Sequence, residues 1–252
     1  MLRFLMVLAV LLATACGTLA AEHDNPGWAD ARQLVLVTTA DWNANGGKLQ
    51  TFAMTDQGWQ AVGDATPVTI GRAGSAWGVG LHPVQAGLEK REGDGRAPAG
   101  VFRVGSGFGY AVSAQTALPY VAMNGTQYCV DVSGSPIYNQ IVDARDVGTA
   151  AVAQSTEPMR RDIHVNGDQR YKLGFVIEHN ADGRSGAGSC IFAHLWKAPG
   201  EPTAGCTAMD EPAMLRLYSW LRPELHPVFV LLPRGEYQRL KTAWNLPDIN
   251  PN

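Results

Sequence analysis

The sequence lacks the features that mark several functional classes. It contains no block rich in lysine and arginine and has a formal net charge of −3, so nucleic acid is not the expected partner. It has no HExxH motif, no CxxC pair and no histidine pair at ligand spacing, so we predict neither a metal site nor a cofactor. A GxSxG elbow and a phosphate-binding P-loop are also missing.

The amino terminus has the pattern of an export signal. One cation, Arg3, precedes an apolar run from Phe4 to Ala13 and a group of small residues. Two processing routes are open: removal of residues 1–21 gives a soluble periplasmic protein, whereas lipid attachment at Cys16 gives a lipoprotein. No later segment is long and apolar enough to span a membrane. We therefore predict an extracytoplasmic protein, with any membrane attachment made through that lipid.

Cysteine is scarce, with four residues in 252. Cys16 is either removed or lipidated, which leaves three. Cys129 and Cys190 lie in apolar, strand-like surroundings, whereas Cys206 lies in a turn. Because an exported protein meets an oxidising compartment, we predict a Cys129–Cys190 disulfide and a free, reactive thiol at Cys206. The alternative is two inert buried thiols and an incidental third.

Short strand-like runs separated by turn signals predict a mainly β fold, either a sandwich or a barrel. The 28 glycines and 15 prolines favour many turns. The clearest strand-like runs are 33–39, 48–55, 101–104, 127–132, 171–178 and 227–232. Asp210 is predicted to cap a helix whose apolar positions face the core: Met214, Leu217, Tyr218 and Leu221. A polar extension, residues 234–252, completes the chain.

Residues 189–209 carry the strongest signal for chemistry. An apolar run, 190–193, predicts a strand with His194 at its end, and a glycine-containing turn with Cys206 precedes the helix. A cysteine acyl-transfer enzyme needs a thiol beside an imidazole, since the thiolate is the nucleophile and histidine is the usual base. The backbone amides around Gly205 are candidates for stabilising an oxyanion.

Two strings together resemble the catalytic domain of YkuD-type L,D-transpeptidases. Those enzymes have a Lys-x-Gly-Asp-x-x-Thr-Pro-x-Gly string before a strand, and a Ser/Thr-His-Gly-Cys turn after a histidine. The matches are Arg91, Gly93, Asp94, Ala97, Pro98, Gly100, His194, Thr203, Gly205 and Cys206. The resemblance covers residues 33–233. It departs from the family at Ala204, where the family has a second histidine, and at Ala208, where the family often has arginine.

The resemblance implies a β-sandwich catalytic domain with a short helix after the cysteine, acting on peptidoglycan stem peptides. Cys206 is then the nucleophile, His194 the general base and Gly205 part of the oxyanion hole. The enzyme forms an acyl-enzyme from a tetrapeptide stem, releases D-Ala and passes the acyl group to an amine. Carried over by position, Thr203 supports the turn and contacts substrate. The further candidates for a substrate pocket are Tyr138, Asn139, His179 and Trp196.

The sequence leaves two other functions open. The same Cys/His site serves an L,D-carboxypeptidase or a peptidoglycan amide hydrolase if water replaces the amine. A non-catalytic wall-binding β domain, in which Cys206 is incidental, is the second alternative. We expect a monomer in each case.

Overall fold

The structure is a computed structural model and describes residues 27–249. The predicted export signal and the lipidation site Cys16 lie outside the described residues. Within residues 27–249, strands occupy more of the chain than helices, which confirms the mainly β class. In the same part of the chain, no helix has the length and hydropathy needed to cross a membrane.

Thirteen strands and five helices make up this part of the chain. The strands are β1 (Gln33–Thr39), β2 (Gly46–Thr55), β3 (Gly58–Thr69), β4 (Ser75–Trp77), β5 (Ala97–Gly109), β6 (Tyr120–Ala122), β7 (Gln127–Cys129), β8 (Ile141–Asp143), β9 (Glu157–Pro158), β10 (Leu173–Ile177), β11 (Phe192–Leu195), β12 (Thr207–Met209) and β13 (Val228–Pro233). The helices are α1 (Ala144–Val147), α2 (Thr149–Val152), α3 (Arg161–His164), α4 (Glu211–Trp220) and α5 (Arg234–Leu240).

Eight strands form one closed sheet in the order β10-β11-β12-β3-β2-β1-β13-β5, and β5 pairs again with β10. Most neighbours are antiparallel, but β1–β13 and β11–β12 are parallel. The sequence resemblance implied two facing sheets, whereas the pairing of β5 with β10 joins the two edges of a single sheet into a barrel. Closure removes the unpaired backbone groups of those edges.

Strand β1 matches the strand-like run 33–39 and lies between β2 and β13. Six of its seven residues are buried, which explains why its sequence is nearly continuous in apolar and β-branched residues. By contrast, β5 is thirteen residues long, although only 101–104 has a strand-like sequence. The rest of the strand contains glycines and Pro98, which have low strand propensity, so its sequence does not predict a strand.

Helix α4 begins as predicted. The Asp210 carboxylate accepts the Ala213 amide at 2.7 Å, which caps the first turn, and the four predicted core residues of the helix are buried. The Tyr218 hydroxyl accepts the Phe108 amide at 3.1 Å and donates to the Gly174 carbonyl. Phe108 and Gly174 are paired across β5 and β10. Helix α4 therefore holds the barrel where it closes.

The carboxyl-terminal segment is not a polar appendage in the structure. It forms α5 and continues to residue 249, and its buried side chains join the main core. Trp244 packs edge-on against Trp28 at a ring separation of 5.5 Å and against Trp77 at 6.3 Å. Residues 234–249 thus complete the barrel core, because α5 and the turn after it present aromatic and aliphatic side chains on one face.

A small second sheet, in the order β8-β7-β9, lies between β6 and β10 in the chain. We call residues 127–158 the lobe. It has a hydrophobic cluster of its own, formed by Val130, Ala144 and Val152. The predicted disulfide is present: Cys129 of β7 is bonded to Cys190, two residues before β11, and Cys206 is a free cysteine. The disulfide therefore fastens the lobe to the barrel.

We predict that Tyr218→Phe lowers the free energy of unfolding by about 1–3 kcal/mol, because the substitution leaves a buried amide and a buried carbonyl without their shared hydroxyl. Urea denaturation measures the change. Ser219→Ala, in the same helix but more exposed, serves as the control, with an expected loss below about 1 kcal/mol. Equal losses in the two variants would contradict this role for Tyr218.

Candidate active site

Thr203 shapes the turn that carries the thiol. Its hydroxyl accepts the Gly205 amide at 3.1 Å and donates to the Cys206 carbonyl at 2.6 Å. Its backbone also joins the turn to the end of β3, since the Thr203 amide donates to the Ile70 carbonyl at 2.9 Å. Thr203 is buried and its hydroxyl is engaged on both sides. In this structure it supports the turn, and it does not face a substrate pocket.

The string that precedes β5 forms a loop closed by one carboxylate. Asp94 accepts the Lys90 ammonium at 2.6 Å, the Arg91 amide at 2.8 Å and the Arg96 amide at 2.8 Å. Three donors on a single side chain set the course of the backbone from residue 90 to residue 96. This loop leads directly into β5.

The two strings that carry the family resemblance pack against each other. A Cβ atom on Gly205 would lie 3.0 Å from the Arg96 carbonyl oxygen, and one on Gly71 would lie 2.5 Å from the Gly95 carbonyl oxygen. Gly71 is also bridged to Thr203. Glycine is needed at 71 because no side chain fits between the two loops. Residues 90–100 and 203–206 are therefore neighbours in space.

The Cys206 thiol lies in a buried, largely apolar environment. Its sulfur accepts the Phe192 amide at 3.3 Å and donates to the Cys190 carbonyl at 3.5 Å. Burial raises the pKa of the thiol to about 12, and the negative charge of Glu157 contributes in the same direction. The resting residue is therefore a protonated thiol.

His194 lies within β11, not at its end as the sequence predicted. Strands β11 and β12 run parallel with Ala193 opposite Thr207, which places Cys206 beside Phe192. Because side chains alternate along a strand, Phe192 and His194 share one face. Phe192 is the residue of β11 next to Cys206. His194 follows Phe192 by two residues in β11 and lies on the same face of the strand. Within residues 27–249, no hydrogen bond joins the imidazole to the Cys206 sulfur.

The His194 ring is oriented by two contacts. Nδ1 lies 2.7 Å from the Leu195 carbonyl oxygen, which can only accept, so Nδ1 carries the proton and Nε2 is the basic nitrogen. The ring also packs edge-on against Tyr171, with ring centroids 5.3 Å apart. Burial lowers the pKa of His194 to about 4, so the imidazole is neutral at physiological pH.

A cluster of charged residues lies near this pair and was not predicted from the sequence. Arg161 donates to Glu157 at 2.8 Å and to Asp168 at 3.2 Å, and its guanidinium lies 5.3 Å from the Tyr171 ring. Arg170 donates to Asp168 at 2.5 Å. Burial raises the pKa of Glu157. Although burial opposes ionisation of Asp168, its hydrogen bonds from Arg170 lower its pKa to about 2.

One signal in the sequence marks this cluster. Seven of the sixteen residues from 157 to 172 are charged, whereas charged residues make up 17% of the whole chain. A charge-dense segment of mixed sign is usually a solvated surface, which is why density alone does not identify a site. Here the side chains of Arg161 and Asp168 are only 12% and 6% exposed.

One of the two backbone amides predicted to stabilise an oxyanion is already engaged. The Gly205 amide donates to the Thr203 hydroxyl, so it is not available to an oxyanion in this structure. The Cys206 amide, by contrast, has no acceptor within residues 27–249. The Cys206 amide is therefore the better donor of the two for a developing negative charge on a substrate carbonyl.

The other predicted pocket residues do not gather around the thiol. Asn139 donates to the His179 and Asn180 carbonyls at 2.9 and 2.8 Å and accepts the Cys190 amide at 2.8 Å, so its side chain ties two loops together. The buried Tyr138 hydroxyl bonds Glu92 and the Gly188 amide. The buried His179 ring accepts the Val79 amide. These three residues stabilise the loops before β11.

Asn139 and His179 also line a cleft of 480 Å³ between the barrel and the lobe, whose wall includes Phe192 and Cys129. Trp196 lies elsewhere, just beyond β11, where its indole donates to the Thr69 hydroxyl at 2.8 Å. It lines two surface clefts of 340 and 470 Å³. Trp196 directly follows β11, the strand that contains His194, and no other predicted pocket residue does so.

Within residues 27–249, no group of three or more histidine, cysteine or carboxylate side chains is arranged to hold a metal ion. The charged residues near Cys206 are instead paired with one another, arginine to carboxylate. The chemistry available in this region is that of a thiol, an imidazole and backbone amides.

No known protein family and no curated protein matches the sequence. One solved structure that resembles the chain is that of Bdellovibrio bacteriovorus Bd1075, with 13% sequence identity and a TM-score of 0.38. The match covers 85% of this chain and 55% of that one, so the chain spans little more than half of its length. At this level the likeness supports no conclusion about fold family or function.

We predict that Glu157→Gln makes the Cys206 thiol more reactive, because it removes the negative charge that disfavours the thiolate. The rate of alkylation by iodoacetamide at pH 8, followed by intact mass, should rise on the order of tenfold. Asp146→Asn, an exposed carboxylate of the same lobe, is the matched control and should leave the rate unchanged. A Glu157→Gln rate equal to that of the parent protein would refute the influence of Glu157.

We also predict that stability falls as the pH decreases from about 6.5 to about 4. Burial lowers the pKa of His179 and His194 to about 4 each, whereas an unfolded chain titrates its histidines near 6.5. Between those values the unfolded state binds more protons, so acid favours unfolding, by up to about 3 kcal/mol per histidine. Urea denaturation at pH 7 and pH 4.5 measures the loss. His194→Gln should show a smaller loss, and an equal loss would contradict the assignment.

Proposed function

We propose that the protein is an extracytoplasmic cysteine acyltransferase, an L,D-transpeptidase that acts on peptidoglycan stem peptides, and that its barrel is a divergent YkuD-type catalytic domain. The observation that supports this proposal most is the packing of the 90–100 loop against the Thr203 turn. The two strings that resemble the family are far apart in sequence, and they meet beside one buried thiol and one neutral imidazole.

In the first step, the proton of the Cys206 thiol passes to Nε2 of His194 as the sulfur attacks the carbonyl between the diamino acid and D-Ala. Because burial disfavours both the thiolate and the imidazolium, the proton moves during the attack and no resting ion pair forms. The Cys206 amide donates to the oxyanion. The C–N bond then breaks, His194 returns the proton to the leaving amine, and D-Ala departs from a thioester.

In the second step, an amine of a second stem attacks the thioester. His194 accepts the amine proton, the new amide bond forms and the C–S bond breaks, and the proton returns to the sulfur. Leu195 holds the imidazole throughout, since its carbonyl accepts from Nδ1 and keeps Nε2 basic. Atoms and charge balance without a metal or a cofactor.

A hydrolase that uses the same residues is the second candidate, and the burial of the thiol favours it. Cys206 is only 8% exposed and His194 only 3% exposed, and the lobe is fastened beside them by the disulfide. A water molecule reaches such a thioester more easily than the side chain of a second stem. The protein then acts as an L,D-carboxypeptidase and leaves a tripeptide.

The purified protein incubated with disaccharide-tetrapeptide tests the proposal, with products followed by mass spectrometry. We expect loss of D-Ala, with cross-linked dimers if an amine is the acceptor and tripeptide alone if water is. Cys206→Ala should lower turnover by at least about 10³-fold, and His194→Gln by about 10²- to 10⁴-fold.

Asp146→Asn, an exposed carboxylate of the lobe, serves as the control and should leave turnover unchanged, because that residue has no part in the proposed chemistry. Turnover that survives in Cys206→Ala would refute the assigned nucleophile. Retention of the protein on isolated cell walls without any change in the tetrapeptide would support the wall-binding alternative and refute catalysis.

A further inference from the structure

A cleft of 470 Å³ lies next to the end of β11, the strand that carries His194, and has no role in the steps above. It is formed by the loop 165–170 on one side and by Trp196 and Lys197, just after β11, on the other. Its volume falls in the range of sites for small ligands or single peptide residues. Two cationic side chains, Arg170 and Lys197, line it.

Arg170 is held in place but retains binding capacity. Its Nε donates to both oxygens of Asp168, at 3.1 and 2.8 Å, and its Nη2 donates at 2.5 Å. Its Nη1 has no acceptor within residues 27–249. The side chain is 26% exposed, whereas that of Asp168 is 6% exposed. A guanidinium fixed on one edge and open on another is suited to a carboxylate, whose two oxygens match its planar donors.

The carboxylate in the cleft is already engaged. Asp168 accepts from Arg161 at 3.2 Å as well as from Arg170, so two cations share it. Arg161 is paired in addition with Glu157 at 2.8 Å. Lys197 brings a further ammonium, paired with the exposed Glu201 at 3.2 Å. Among the charged side chains that line the cleft, the two cations, Arg170 and Lys197, outnumber the one carboxylate, Asp168, which favours an anionic ligand.

Arg170 is also close to the reacting groups. The next residue, Tyr171, packs against the His194 ring at 5.3 Å, and Trp196 follows His194 by two residues. The positive charge of Arg170 lowers the pKa of both His194 and Cys206, although burial has the larger effect on each. An anion bound at Arg170 therefore lies within electrostatic reach of the thiol.

We infer that the cleft is a carboxylate subsite, in which Arg170 binds a free carboxylate of the peptide whose carbonyl Cys206 attacks. This inference rests on the proposed function. A stem peptide has two sources of that chemistry: the terminal carboxylate of the leaving D-Ala and the side-chain carboxylate of the diamino acid. Binding either one fixes the position of the scissile carbonyl relative to the sulfur.

Steady-state kinetics with three substrates tests the subsite: the tetrapeptide, its C-terminal amide, and the tetrapeptide with the diamino-acid carboxylate amidated. Arg170→Gln should raise KM for the tetrapeptide by about 10- to 100-fold while kcat changes much less, and Arg170→Lys should restore part of the loss. One of the two amidated peptides lacks the carboxylate that Arg170 binds. That peptide should be a poor substrate for the parent protein, and Arg170→Gln should not raise its KM further. Arg145→Gln, an exposed arginine of the lobe, is the matched control.

A second measurement does not need turnover. Iodoacetate carries a carboxylate and iodoacetamide does not, so the ratio of their rates of Cys206 alkylation reports on a cation beside the thiol. Both rates depend on the thiol pKa in the same way, so a change in that pKa does not change their ratio. We expect Arg170→Gln to lower this ratio about tenfold and Arg145→Gln to leave it unchanged.

The two measurements separate the inference from the proposed function. An unchanged alkylation ratio in Arg170→Gln, or equal loss of activity toward all three substrates, would overturn the carboxylate subsite. Arg170→Gln could lower the alkylation ratio although the parent protein does not turn over tetrapeptide. That result would refute the stem-peptide substrate and would still support an anion site at Arg170.

Discussion

The Cys206 sulfur lies among apolar side chains, where a thiolate is poorly stabilised. Two hydrogen bonds hold it there, one from the Phe192 amide and one to the Cys190 carbonyl, and the disulfide fastens the lobe to the same residue, Cys190. The same burial keeps His194 neutral. The proposed chemistry therefore starts from a neutral thiol and a neutral imidazole. The proton moves between them only when the sulfur attacks the substrate carbonyl. Cys190 itself has φ = 55°, a conformation that residues other than glycine rarely adopt, so the backbone beside the thiol is strained.

The barrel provides the geometry that this burial requires. Parallel pairing of β11 with β12 sets Cys206 beside Phe192 and places His194 on the same face. Gly71 allows the loop closed by Asp94 to approach the Thr203 turn. These contacts are made by backbone and by short side chains, so they define the position of the thiol more sharply than long, flexible side chains would.

Charged residues have a different role in the site. Glu157 and Arg170 act on the same thiol with opposite sign, and each is held by a partner of opposite charge. Glu157 belongs to the edge strand β9, and it is paired in register with Cys129, the disulfide cysteine of the lobe. The covalent link that fastens the lobe thus also positions a charged side chain near the Cys206 thiol. Arg170 lies on the outer side, where a cleft opens to solvent.

The sequence by itself determined the local features: strand β1 from its buried β-branched run, helix α4 from Asp210 and its apolar face, and the disulfide from the surroundings of its two cysteines. It also led to the prediction that Cys206 and His194 act as a catalytic pair. Only the tertiary structure decided that one sheet closes through β5 and β10, that Thr203 is committed to the turn, and that Arg161 and Arg170 lie near the thiol. The reason is physical. Local propensity and periodicity report neighbours along the chain, whereas closure, shared hydroxyls and paired charges depend on residues that only the complete fold brings together.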